Sequence, residues 1–146
     1  MTDSLTQLHS LLERLEKAEG PDRGLDADIA VACGLGLSRG FYEIYISNWF
    51  GFNNFPLPTF TFSFHPTVAL IELVLPGWSW SCMRSGFRTP AHARVWETDS
   101  AQSKYLEYDA KHNSGSPPLA LLCALFRALI AMEEDNDVGI SDAMLK

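Results

Sequence analysis

Apolar residues recur along this chain at two spacings, and the switches between them divide it into elements. Leu5, Leu8, Leu12 and Leu15 follow at steps of three and four residues, the repeat of a helix with one apolar stripe. A helix over 4–19 is expected, with Ser4 and Gln7 in capping-box spacing. Glu13 stands one turn from Lys17, a pairing worth about a few tenths of a kcal/mol. Gly20-Pro21 closes this helix and opens a second, from Asp22 to Cys33, with Leu25, Ile29 and Ala32 inward and Gly34 as its stop. The glycines of CGLGLSRG, Gly34, Gly36 and Gly40, depart from the spacing of a dinucleotide fingerprint and follow a predicted helix, so the segment reads as a flexible connection.

The period then changes. Tyr42, Ile44 and Ile46 alternate with Glu43, Tyr45 and Ser47, which predicts a strand. Asn48 to Pro58, NWFGFNNFPLP, is rich in turn residues and reads as a loop that ends it. Pro58 to Trp80, PTFTFSFHPTVALIELVLPGWSW, is the stretch around which the rest is organised. Ser63 is positioned as an N-cap, Pro66 falls in the first turn, and the residues to Leu75 are apolar nearly all round. This predicts a helix buried on two sides. Pro76-Gly77 ends it, and Trp78, Trp80 and Cys82 then alternate with Ser79, Ser81 and Met83 as a strand. The two tryptophans read as core residues of one strand face rather than as a binding platform.

SGFRTP (Ser85 to Pro90) is a turn, and Ala91, Ala93 and Val95 alternate with His92, Arg94 and Trp96 as a further strand. KYLEYD (Lys104 to Asp109) supplies another, which completes an antiparallel meander. After the break NSGSPP (113–118), a helix over 117–134 carries Leu119, Leu122, Phe126, Leu129 and Ile130 on one side and is too short to span a bilayer. Residues 135–146 are acidic and polar and are expected to fray. The reading is an α+β fold in one domain over 1–134. It is an α/β/α-type sandwich, with a central antiparallel sheet of about three to five strands and helices on its faces.

Composition narrows the function. The formal net charge of -7 argues against general nucleic-acid binding, which calls for a basic face. Glu13, Glu16, Glu19 and Asp22, with Asp26 and Asp28 beyond, form an acidic region interrupted by Arg14, Lys17 and Arg23. It reads as a solvated surface able to meet Lys and Arg on a partner, with nucleic-acid mimicry as the lesser reading. Cys33, Cys82 and Cys123 lie far apart, which fits reduced thiols in a cytosol. The polar start MTDSLTQ resembles no signal peptide, so a cytoplasmic location in a host cell is expected, without a membrane span.

The stretch 41–64 holds ten aromatics and only Glu43 as a charge: Phe41, Tyr42, Tyr45, Trp49, Phe50, Phe52, Phe55, Phe60, Phe62 and Phe64. Aromatics among Asn, Gly and Pro have the composition of an interaction surface, against the alternative of a lid packed on the sheet. Trp49, Phe50, Phe52, Phe55 and Tyr45 are the expected partner contacts. No cofactor and no metal site is expected: His9, His65, His92 and His112 are far apart and no Cys-x-x-Cys occurs. A nucleophilic Cys82 beside His65 or His92 is the enzymatic alternative, with Glu97, Asp99, Glu107 and Asp109 as strand-end carboxylates.

GPDRGLDADIA (Gly20 to Ala30), the Ser63 to Leu75 helix, PGWSW (Pro76 to Trp80), AHARVW (Ala91 to Trp96) and the Ala/Leu-rich helix at 117–132 together resemble the phage ABA (α/β/α) sandwich family of small bacteriophage and prophage proteins. Gly24 and His65 depart from the usual pattern, as does the aromatic richness of 41–58. The resemblance implies a sandwich fold and a phage or prophage source, and it carries over no catalytic residue. With the acidic single domain and the aromatic insert, it leads to the expectation of a non-enzymatic binding protein. The most specific form is an inhibitor of a host antiphage defence system, anti-CRISPR-like, that occludes a host or phage protein. The alternative is a phage structural or assembly accessory that self-associates, as a homodimer, through the same aromatics.

Overall fold

The computed structural model describes residues 2–40, 43–84, 86, 89–97 and 106–145, with side chains over 4–135 within those ranges. The described residues form an α+β fold of four helices and two three-stranded antiparallel sheets. Helix α1 (Thr2–Lys17) starts before Ser4, so Ser4 and Gln7 form no capping box; its buried stripe is Leu8, Leu11 and Leu15. Helix α2 (Arg23–Ala32) is capped at its N-terminus by Asp22, whose carboxylate accepts the Leu25 N–H at 3.1 Å. Its other end is a Schellman turn. Gly34 takes φ 76, its N–H bonds the Val31 carbonyl, and the Leu35 N–H reaches back to the Ala30 carbonyl at 2.9 Å.

The first sheet joins β1 (Leu37–Arg39), β2 (Ile44–Trp49) and β3 (Phe52–Pro56) in that order. Two expectations are corrected here. The glycine segment is not only a connection, because it contributes β1. The stretch after Asn48 is not a loop, because it returns as the third strand of a hairpin. Phe41 and Tyr42 lie outside the described residues.

Helix α3 (Phe64–Val74) begins after Ser63, but the Ser63 hydroxyl makes no cap; it bonds the Thr59 hydroxyl at 2.8 Å. Only Thr67, Leu70 and Ile71 are buried on α3, while Leu73 and Phe64 are exposed, so burial is one-sided rather than two-sided. Gly77 (φ 85) turns the chain into the second sheet, ordered β4 (Trp78–Met83), β5 (Ala91–Glu97), β6 (Glu107–His112). Strand β6 lies three residues beyond the predicted start at Lys104; Lys104 and Tyr105 are outside the described residues, as are Ser85, Phe87 and Arg88 of the predicted turn.

Helix α4 (Pro117–Leu145) continues through the predicted end at Glu134. It packs on β5 and β6 on one side and on α1 on the other. Its residues from Leu119 to Phe126 are all buried. Ala91, Ala93, Val95 and Ala110 of the sheet meet it, and their strand neighbours His92, Arg94, Asp109 and Lys111 point to the opposite, solvent-facing side. That alternation is the signature of a sheet packed on one face. His112 ties β6 to α1: the Ser114 N–H donates to its Nδ1 at 3.2 Å, and Nε2 donates to the Leu15 carbonyl at 2.8 Å.

Candidate functional site

The β2–β3 hairpin turns on two residues, Phe50 and Gly51, between the paired Trp49 and Phe52. Both turn residues have positive φ, 51 and 87, which marks the tight turn whose twist matches that of its strands. The Asn48 side chain holds it by accepting the Gly51 N–H at 3.2 Å. Pleating then sorts the aromatics. Trp49 is 8% exposed and packs between Phe55 (6.3 Å, stacked) and Phe60 (5.9 Å, edge-on). Phe50 stands edge-on over Trp49 at 4.9 Å and is 49% exposed, and Phe52 is 65% exposed. Phe55 and Tyr45 are half-buried.

Of the five expected contact residues, then, two are on the surface, two are partly covered and one is core. The correction concerns Trp49: it supports the hairpin from beneath and cannot be an outward anchor. Beside the hairpin lies an apolar groove of about 430 Å³, lined by Trp49, Phe55, Pro58, His65, Pro66 and Ala69 among others. The interface-or-lid alternative is thereby divided within the hairpin, with one aromatic layer packed inward and the next facing water.

The acidic region is also divided. Glu13 pairs with Lys17 at 2.8 Å, a contact that lowers the carboxyl's pKa and raises that of the amine, and Glu16 faces Arg127 at 3.6 Å. Asp22 is occupied as a cap, Asp28 pairs with Arg14, and Glu19 is exposed. Asp26 is buried, which the sequence reading missed. Its Oδ1 accepts the Thr61 N–H (2.8 Å) and hydroxyl (2.9 Å), and its Oδ2 accepts Arg23 (2.9 Å). Arg23 also donates to the carbonyls of Leu57 and Pro58. This cluster fastens α2 to the segment that carries the chain from the hairpin to α3. The i,i+3 spacing of Arg23 and Asp26 is the signal that was available.

The cysteine–histidine alternative meets a geometric obstacle. Cys82 pairs with Ala93 and Met83 with His92, so Cys82 and His92 project from opposite faces of the sheet. Burial pushes the Cys82 thiol up, and its Sγ faces the Pro117 carbonyl at 3.7 Å. His65 sits on the exposed start of α3, in the groove beside Trp49. Arg94 ties Glu107 and Asp109 together, while Asp99 lies outside the described residues. Among the described residues no group of three His, Cys, Asp or Glu is placed to hold a metal, and no helix is long and apolar enough to cross a membrane.

The motifs that carry the phage-sandwich resemblance have structural roles here. Asp22, Arg23 and Asp26 form the cap and the buried cluster, and Gly24 fits where an added Cβ would lie 3.1 Å from the Asp22 carboxylate. No family model matches the chain, and neither a curated protein nor a solved structure does, so the resemblance stands on those motifs alone.

Proposed function

We propose that this chain is a non-enzymatic binding module that docks on a protein partner through the β2–β3 hairpin. Phe50 and Phe52 are the anchors, Trp49 is their support, and the adjoining groove is the seat for an apolar side chain of the partner. The observation that carries this reading is Phe50. A bulky aromatic at positive φ is disfavoured, and a turn of this type prefers Asn, Asp or Gly there. Its ring is nonetheless half in water. Neither folding nor solubility asks for phenylalanine at that position, whereas a contact surface does.

The partner is taken to be a component of a host antiphage defence complex, with the chain a phage- or prophage-encoded inhibitor acting by occlusion. This finer reading rests on the motif resemblance, the small domain and its net charge of -7, which favours a basic partner rim. The test is a phage challenge in bacteria carrying an active CRISPR–Cas system. Expression of the chain should restore plaquing. Phe50→Ser/Phe52→Ser should abolish the effect with a melting temperature within about 3 °C of the parent, since two surface rings contribute little to folding. No rescue by the parent chain sinks the anti-defence reading. Full rescue by the double variant sinks the hairpin as the contact.

A further inference from the structure

The described strands end in four sheet edges, and three of them carry features that discourage pairing. Strand β1 is three residues long and ends in Arg39. Strand β3 ends in Pro56 and contains Asn54 at φ 54. Strand β6, EYDAKH, alternates Glu107, Asp109 and Lys111 along its exposed side. Strand β4, WSWSCM, has no charge, no proline and no positive φ over six residues. Among the described residues its one backbone–backbone bond to anything other than β5 runs from the Trp78 N–H to the Leu75 carbonyl. At the Cys82 end the edge opens on an apolar groove of about 390 Å³ between Phe62, Phe64, Met83, Pro117 and Pro118. Phe62 is 68% and Met83 64% exposed there.

From this edge we infer a second copy of the chain as its occupant: two β4 strands pair antiparallel across a twofold axis, joining two three-stranded sheets into one of six. Sidedness fixes the register. Trp78, Trp80 and Cys82 face the helix side with Val95 and Ala93, and Ser79, Ser81 and Met83 face the other. Residues opposite one another in a pair share a face. The axis must therefore pass through a residue, and with Trp80 as the centre the five residues from Trp78 to Cys82 pair with their counterparts, leaving Met83 beyond the ladder. Trp78 then lies opposite Cys82 of the second copy, beside its Phe62–Pro118 groove, and Ser79 lies opposite Ser81.

Charge favours this occupant. A chain of net charge -7 repels its own copy, so a self-interface must hold no carboxylate without a cation to meet it, and β4 with its groove holds no carboxylate at all. Arg84 follows one end of β4, and Glu97 stands opposite Trp78 at the other. Antiparallel pairing brings each Arg84 towards the Glu97 end of its neighbour, on the same side of the sheet. Among the described residues neither side chain has an ion-pair partner within its own copy, although Arg84 donates to the Gly115 carbonyl.

The experiment is light scattering of the purified full chain at about 50 µM, a concentration that populates any dimer tighter than about 10 µM. The parent should run at twice the chain mass. Ser79→Lys/Ser81→Lys and Ser79→Glu/Ser81→Glu should each run as monomers with the parent's circular dichroism, since like charges then face each other across the axis. Mixing the two should restore a dimer of one copy of each. If the lysine pair fails to fold, Ser81→Lys alone, at an exposed position facing Ser79 of the second copy, should still weaken the dimer. A monomeric parent overturns the inference, as does a lysine variant that folds and stays dimeric. Phe50→Ser/Phe52→Ser should stay dimeric; a monomer there would move self-association to the hairpin and overturn the β4 assignment.

Discussion

At the scale of single residues, the Asp26 cluster separates an informative charge from an uninformative one. The sequence reading placed Asp26 with Asp22 and Asp28 as one solvated acidic stretch, and Asp28 fits that, being half-buried and paired with Arg14 at the surface. Asp26 differs because its partner Thr61 is 35 residues away, a separation that no local pattern records. The Thr61 hydroxyl donates to the carboxylate and accepts the Asp22 N–H at 2.8 Å. Thr61→Val keeps the shape and removes both bonds. It should lower the unfolding free energy by about 1–3 kcal/mol, the cost of leaving buried groups unmatched. Urea titration of Thr61→Val, Asp26→Asn and the double variant should give a coupling of about 1 kcal/mol or more. Additive losses would mean that the two side chains do not share a bond network. The Arg23 contact adds less than its geometry suggests, because that guanidinium is half in solvent.

At the scale of elements, the hairpin shows where stability and function pull apart. Phe50→Asn relieves the positive φ at the turn and should raise stability by about 0.5–1 kcal/mol. The same change should reduce partner binding by about tenfold or more, the loss expected on removing an exposed aromatic anchor. Thermal melts alongside the phage challenge would read both. If stability and activity fall together, Phe50 is packing and not contact. The hairpin was only half legible in NWFGFNN: Gly51 occupies the second turn position, but the first holds Phe instead of the Asn or Asp that marks such turns. The turn-rich composition of NWFGFNNFPLP therefore reads as a loop. Strands β4 and β5 were legible throughout, because their alternation runs without interruption from Trp78 to Met83 and from Ala91 to Val95. Strand β6 was read too early, since the alternating stretch LEYDAKH has its only buried side chains, Ala110 and His112, in its second half.

At the scale of the whole molecule, the α+β class followed from the two hydrophobic periods, but the division of the strands into two sheets did not, because pairing partners are a long-range property. What the layers do fix is the environment of the thiols. Cys123 lies in the fully buried part of α4, and burial pushes its thiol up to about 12; Cys33, at the end of α2, is raised to about 12 by the same cause. A thiol gains charge on losing its proton, so the folded state resists an ionisation that the unfolded chain undergoes near pH 9. The unfolded state binds fewer protons above that pH, so stability is fully present below about pH 9 and falls as pH rises towards 12. For Cys123 the loss at about pH 10.5 is of the order of 2 kcal/mol. Cys123→Ala has its own packing cost, but that cost does not vary with pH, and the variant lacks the titration. Urea unfolding at about pH 8 and pH 10.5 should therefore show the gap between parent and variant shrinking by roughly 2 kcal/mol at the higher pH. An unchanged gap would mean that the thiol ionises as freely in the folded chain as in the unfolded one. It would then be in contact with water, and the packing of α4 between the second sheet and α1 would have to be redrawn.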